Sequence, residues 1–163
     1  MVSDDAERLT KWDLRFLKIA QEISYWSKDP STKVGAVIVD SKRNIVSTGY
    51  NGFPSGIDDS PEAYANRELK YQRIIHAEMN ALLRGKDLTR HTLYTWPFMS
   101  CDRCAVMVVQ SGISRCVAPE PTEDIKNRWN DSISISSNLF SEANIELKIY
   151  PLDLLRKLNF NII

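Results

Sequence analysis

Four residues have the types and spacing for metal chemistry. Cys101 and Cys104 form a C-x-x-C pair, and His76 and Glu78 form an H-x-E pair. Residues three apart on a helix share a face, so both sulfurs can point at one ion. A helix N-terminus favours the thiolate, which is the state that binds metal. A histidine from elsewhere makes three protein ligands, and tetrahedral zinc then keeps its fourth position for water, as catalytic sites do. Glu78 stands two residues from His76. It is near enough to take a proton from that water and pass it on without being a ligand itself. Spacing alone thus suggests a catalytic zinc hydrolase.

Blander readings exist for each piece. A lone C-x-x-C serves equally as a redox pair or as half of a structural zinc site, and a lone H-x-E carries little information. What favours catalysis is the pairing, with each motif at the start of a predicted helix. A closed structural site needs a fourth ligand, and the remaining candidates by type are Cys116 and His91. Cys116 sits in an apolar run and reads as a buried small hydrophobe. His91 borders the charged turn LTRHT and reads as a surface residue.

The elements that must position these residues follow from periodicity. Residues 10–27 place Leu14, Leu17, Ile19, Ile23 and Trp26 near helical spacing. VGAVIVD (34–40) and NIVSTGY (44–50) read as strands of a hairpin. The segment 51–61, rich in Gly, Pro, Asn and Asp, is loop, and 62–71 is weakly helical. IHAEMNALLRG (75–85) is a helix ended by Gly85, and CDRCAVMVVQSG (101–112) one ended by Gly112. Strands are expected at 91–96, 114–119 and 145–150. Residues 120–131 read as irregular, 132–142 as helical, and LDLLRKL (152–158) as a short helix. Alternating helices and strands predict an α/β domain spanning 1–163, with a partly parallel sheet covered on both faces.

The bulk numbers narrow the partners. In 163 residues, Lys plus Arg and Asp plus Glu are both 21, giving zero formal charge. A protein that grips a polynucleotide usually carries a basic excess, so a small ligand is favoured. No segment approaches the roughly 20 apolar residues of a membrane span. The acidic N-terminus does not resemble a secretory signal, and three cysteines with one close pair do not suggest a disulfide framework. A cytoplasmic location is expected.

Longer strings around the four residues resemble the deoxycytidylate (dCMP) deaminase family of the cytidine deaminase superfamily. They are DPSTKVGAVIV (29–39), GYNGFPSG (49–56), LKYQRIIHAEMNALL (69–83) and TLYTWPFMSCDRCAVMVVQSGISRCV (92–117). H-x-E with C-x-x-C marks the superfamily of zinc nucleobase deaminases; the GYNGFP loop and the Lys-Tyr before the HAE helix point to the dCMP branch. The resemblance implies a three-layer α-β-α fold with a five-stranded mixed sheet. It also implies hydrolytic conversion of dCMP to dUMP and ammonia. Zinc-activated water would attack C4 of cytosine, and Glu78 would protonate N3 and then the leaving amine. The Ala77 amide is a candidate donor to the base carbonyl, Asn51 a candidate for sugar recognition, and Tyr71 a candidate pocket wall. Asn51 with Gly52 also makes a plausible turn, and Tyr71 a plausible core residue.

Further properties are implied by the resemblance alone. They are a homo-hexamer, activation by dCTP and inhibition by dTTP, with Mg2+ on the triphosphate. Gly49, Tyr50, Asn51 and Gly52 would form the effector segment, and Lys33 could reach a phosphate, although an exposed lysine at a strand start is the simpler view. One zinc per subunit is expected, because the chain has too few His and Cys residues for a second site. Where the family has Pro before the first cysteine this chain has Ser100, expected to cap the following helix. The apolar tail NFNII (159–163) suggests burial at a subunit contact. Alternatives are a deaminase of another cytosine nucleotide or nucleoside (dCTP, cytidine), or a non-catalytic zinc-stabilised nucleotide-binding module.

Overall fold

The computed structural model of the chain describes residues 3–162. Five strands, β1 (Gly35–Val39), β2 (Ile45–Tyr50), β3 (Thr92–Trp96), β4 (Arg115–Pro119) and β5 (Glu146–Tyr150), form one sheet in the order β2-β1-β3-β4-β5. The β1–β2 and β1–β3 pairings are antiparallel, and β3–β4 and β4–β5 are parallel. The sheet is therefore mixed, and both its faces are covered.

Strand alternation sorts the core into two layers. Val37, Val39, Tyr94, Trp96, Val117 and Tyr150 face α1 (Asp4–Ser24), where Phe16, Leu17, Ala20 and Ile23 meet them; α7 (Leu152–Lys157) adds Leu155. Ala36, Ile38, Leu93, Cys116 and Ala118 face the other way. There they meet Ala77 and Ala81 of α4 (Ala77–Arg84), Ala105 and Val108 of α5 (Asp102–Gln110) and Phe140 of α6 (Glu123–Glu142). This is the expected three-layer α-β-α arrangement. Two short helices, α2 (Pro61–Ala65) and α3 (Arg67–Arg73), precede α4, each started by a side-chain cap, Ser60 or Asn66.

Three expectations change. Helix α1 starts at Asp4, capped by the Ser3 hydroxyl and followed by acidic Asp4, Asp5 and Glu7, and it ends at Ser24. The acidic first turn complements the helix dipole. Helix α6 begins at Glu123, so most of the segment expected to be irregular is helical. It is held by the Arg128–Asp124 and Lys126–Glu123 pairs on its exposed side. Third, the C-terminal tail packs on its own chain. Phe160 is buried and stacks on Trp96 at 5.4 Å, and Gln21 Nε2 donates to the Asn161 carbonyl at 2.8 Å. Ile163, the last residue of that tail, lies outside the described residues, as do Met1 and Val2.

Candidate active site

Two helix starts meet at the site. His76 is the N-cap residue of α4 and Cys101 that of α5, and neither helix has a side-chain cap. Cys104 follows within the first turn of α5. The loop from β3 delivers Cys101 just beyond the carboxyl end of that strand, where α/β sheets open their ligand crevices. Helix α4 reaches its place because Gly49 of β2 lets it approach. A Cβ at Gly49 would stand 2.3 Å from the Ala77 carbonyl oxygen and 2.5 Å from the Ala81 nitrogen. The loop after β2 is also tied to the metal-side segment, since Gly52 and Ile75 exchange backbone bonds of 3.0 and 2.8 Å.

The result is a convergent donor set. The ligand atoms of His76, Cys101 and Cys104 all lie within 4.8 Å of one another. His76 Nδ1 is 3.2 Å from Cys101 Sγ and 3.4 Å from Cys104 Sγ. The thiol of Cys104 hydrogen-bonds Cys101 and pulls the Cys101 pKa down, while the same contact and burial push Cys104 up. The Cys101 sulfur in turn raises the His76 pKa. Two soft, buried sulfurs and one half-buried imidazole at helix N-termini are a donor set suited to zinc. A bound cation would draw both thiols to the thiolate form.

Glu78 lies beside this triad and is almost wholly buried; burial raises its pKa, and the nearby Cys101 sulfur adds to the rise. A carboxylate biased toward its acid form suits proton delivery near neutrality. Ala77 occupies the first helical position, where a backbone N–H has no intrahelical acceptor. Ser100 is buried next to Glu78, where its hydroxyl acts on the carboxyl against the effect of burial. It does not cap α5; Cys101 holds that position, with Ala105 N donating to the Cys101 carbonyl at 2.8 Å.

A cavity of about 140 Å³ opens over these groups. His76, Ala77, Glu78 and Cys101 line it together with Asn51 and Tyr71, so six of the expected site residues face one space. Asn51 and Tyr71 also make contacts within the chain. Asn51 Oδ1 accepts from the Val34 amide at 2.8 Å, and Nδ2 donates to the Thr32 carbonyl at 2.8 Å. Its amide therefore shapes the loop that carries Asp29. Tyr71 is 66% exposed and stands at the rim, its hydroxyl accepting from Arg67.

The cavity also takes in residues that motif reading passed over. Asp29 is buried and binds Lys70 Nζ at 2.7 Å. Phe98 and the α6 residues Arg128 and Trp129 complete the wall. Asp29 and Lys70 lie inside the strings quoted above, whereas Arg128 and Trp129 fall in the segment read as irregular.

The proposed effector residues do not join this cavity, except Asn51. Gly49 has the packing role just described. Tyr50 is partly exposed against Trp26, and its carbonyl accepts from Asn80 Nδ2 at 2.8 Å. Lys33 donates to the Ser27 carbonyl and lines a neighbouring cavity of about 480 Å³. Cys116 is buried, with its thiol pushed up to about 12 by desolvation, and His91 bonds the Thr89 carbonyl; neither lies in the triad.

Comparison with known proteins agrees with this geometry. Residues 10–120 match the family model described as the cytidine and deoxycytidylate deaminase zinc-binding region. An "uncharacterized deaminase in luxG 3′ region" of Aliivibrio fischeri is 44% identical, over 91% of this chain and 99% of its own length. Human deoxycytidylate deaminase is 34% identical, over 85% of this chain and 79% of its own. The dCMP deaminase of cyanophage S-TIM5, solved in complex with dCMP and dUMP, superposes with a TM-score of 0.66 at 22% identity, over 92% of this chain and 100% of its own; it shares the fold. Among the described residues no helix is long and apolar enough to cross a membrane. By the extent of the family match and the identity to its relatives, this chain belongs to the cytidine and deoxycytidylate deaminase family.

Proposed function

We propose that the protein deaminates dCMP hydrolytically, giving dUMP and ammonia. The observation that carries this reading is a buried carboxylate, Glu78, lining one cavity with His76 and Cys101 of the His76–Cys101–Cys104 triad. A structural zinc site has no use for such a carboxylate. His76, Cys101 and Cys104 would hold one zinc ion, which would supply an activated water when bound. Glu78 takes a proton from the water that adds to C4 and delivers it to N3 of the cytosine, then carries the remaining hydroxyl proton to the amine as the C4–N bond breaks. The Ala77 amide donates to the base carbonyl. Asn51 holds the loop that meets the sugar, and Tyr71 borders the entrance.

Deoxycytidylate is preferred over the free nucleoside because the cavity rim carries cations, Lys70 and Arg128. The 34% identity to human deoxycytidylate deaminase supports the same substrate. The reading extends to a cytoplasmic homo-hexamer whose activity rises with dCTP and falls with dTTP, Mg2+ accompanying the triphosphate. Exposed Leu83, Val106 and Met107 on α4 and α5 support subunit contact. The segment Gly49–Gly52 is the candidate link to effectors, through its backbone bridge to Ile75 beside His76.

The test is a rate panel on dCMP, dCTP, deoxycytidine and CMP, with and without dCTP and dTTP. Preference for dCMP is expected. Equal rates on deoxycytidine and dCMP would refute the nucleotide reading, and a flat response to both triphosphates would remove regulation.

A further inference from the structure

Among the described residues, the buried indole nitrogen Trp129 Nε1 has no hydrogen-bond partner. Trp129 also lines the cavity over the metal triad. A buried indole N–H left unpaired is costly, and native structures rarely leave such donors idle. Its position is deliberate in the fold. Ser132, three residues further along α6, accepts from the Asp102 amide at 2.9 Å and donates to Asp102 Oδ1 at 2.6 Å. This reciprocal pair fastens α6 to the start of α5, right after the ligand Cys101. Residues three apart share a helix face, so the same contact sets Trp129 over the site, with its ring 5.6 Å from that of Phe98.

The cavity has a direction. Glu78 and Cys101 are buried at its floor, whereas Arg128 and Tyr71 are exposed at its rim. Trp129 is adjacent to Arg128 in sequence and sits between these levels. Arg128 spans the rim, its Nη1 donating to Thr32 Oγ1 at 3.1 Å and its Nη2 to Asp124 Oδ2 at 2.8 Å. Facing it, Lys70 binds Asp29 and Ser31 Oγ. The reacting end of a substrate belongs at the floor, so its other end meets the indole donor flanked by a guanidinium and an ammonium.

We infer that Trp129 is a specificity-determining residue, its indole N–H donating to an anionic oxygen of the substrate's 5′-phosphate. Arg128 turns from Thr32 to the same group. This deepens the proposed function and rests on its orientation of the nucleotide. A neutral nucleoside leaves the N–H unpaired; the monophosphate satisfies it. The energetic difference therefore falls on discrimination between nucleotide and nucleoside rather than on the chemical step.

The test removes the donor and keeps the ring. In zinc-loaded Trp129→Phe, the ratio of kcat/KM for dCMP over deoxycytidine should fall about tenfold or more, the scale of a hydrogen bond to a charged group. Arg128→Gln should lower the same ratio. Equal losses on both substrates, or an unchanged ratio in Trp129→Phe, would overturn the assignment. A second readout is independent of turnover. The chain has four tryptophans, so 15N-labelled protein shows a small set of indole N–H resonances, and the one absent from Trp129→Phe is that of Trp129. It should move downfield with dUMP and stay in place with deoxyuridine. No shift with dUMP, or the same shift with both, would overturn the assignment. If wild-type protein turns over deoxycytidine as fast as dCMP while the indole still responds only to dUMP, the proposed function fails and the phosphate contact stands.

Discussion

Arg115 grips Asp13 through two parallel bonds of 2.7 Å, Nη1 to Oδ1 and Nη2 to Oδ2, with Asp13 wholly shut off from solvent. Tyr94 and Tyr150 donate to the same carboxylate at 2.8 and 2.7 Å. Strands β3, β4 and β5 are thereby bolted to α1 on the face opposite the metal ligands. Burial and the adjacent carboxylate hold both tyrosines well above their ordinary pKa, so they remain donors. Removing one partner of a buried pair costs about 3–5 kcal/mol. Asp13→Ala should lose that much in urea unfolding, while the folded fraction keeps wild-type kcat; a loss below about 1 kcal/mol would contradict the network's role.

Glu78→Gln should keep metal content and lower kcat about 10²–10⁴-fold, the range of a general acid–base group. The sign of its effect on stability is opposite. Burial raises the folded-state pKa of Glu78. The folded metal-free protein therefore prefers the acid, and ionisation costs stability as pH rises from the unfolded carboxylate value through the folded one. At pH 7 the metal-free Glu78→Gln protein should melt higher than metal-free wild type, and the gap should close below pH 4. A lower Tm for the variant at pH 7 would contradict this.

Metal binding should depend on pH in the other direction. Both sulfurs bind as thiolates and His76 binds as neutral imidazole, so loading releases protons. In the metal-free protein the Cys101 sulfur raises the His76 pKa, which adds a proton to be displaced. Zinc affinity should rise with pH between 5 and 8, read by competition with a chromogenic chelator. Cys101→Ser and Cys104→Ser should each fall well below one zinc per chain by elemental analysis.

Gly49→Ala should displace α4. Its new Cβ meets backbone atoms at 2.3 and 2.5 Å, which cannot rotate aside. Overpacking of this kind costs about 1–3 kcal/mol, and here it also moves His76. The variant should lose zinc affinity along with stability. Unchanged zinc affinity would show that α4 and the ligand move independently.

The strands were legible because each is a short β-branched or apolar run, and every observed end falls within one residue of the sequence reading. The first half of α6 was not. EDIKNRWND holds one buried residue, Ile125, and its helix rests on charge pairs and on Ser132 docking to Asp102, which no periodicity reveals. That failure hid Arg128 and Trp129. At the site, His76, Glu78, Cys101 and Cys104 could be read because their spacing is local. Asp29 could not, since its meaning comes from Lys70, 41 positions away. Ser100 has the residue type of a helix cap, but Cys101 holds that position. The tail was read as a subunit contact because its apolar residues lack a visible partner in sequence; Trp96, far upstream, is that partner.

The two uncapped helix starts have a consequence for the order of assembly. Positions normally given to Ser, Thr, Asp or Asn are held by an imidazole and a thiol. The ion that joins them therefore also acts as the clasp at which both helices begin. Synthesis without metal should yield a chain whose sheet and α1 form, with α5 still held to α6 through Ser132 and Asp102, while the first turn of α4 stays frayed. Loading would then be a late folding step, and a cell short of zinc would accumulate a protein exposed to proteolysis near residues 76–80.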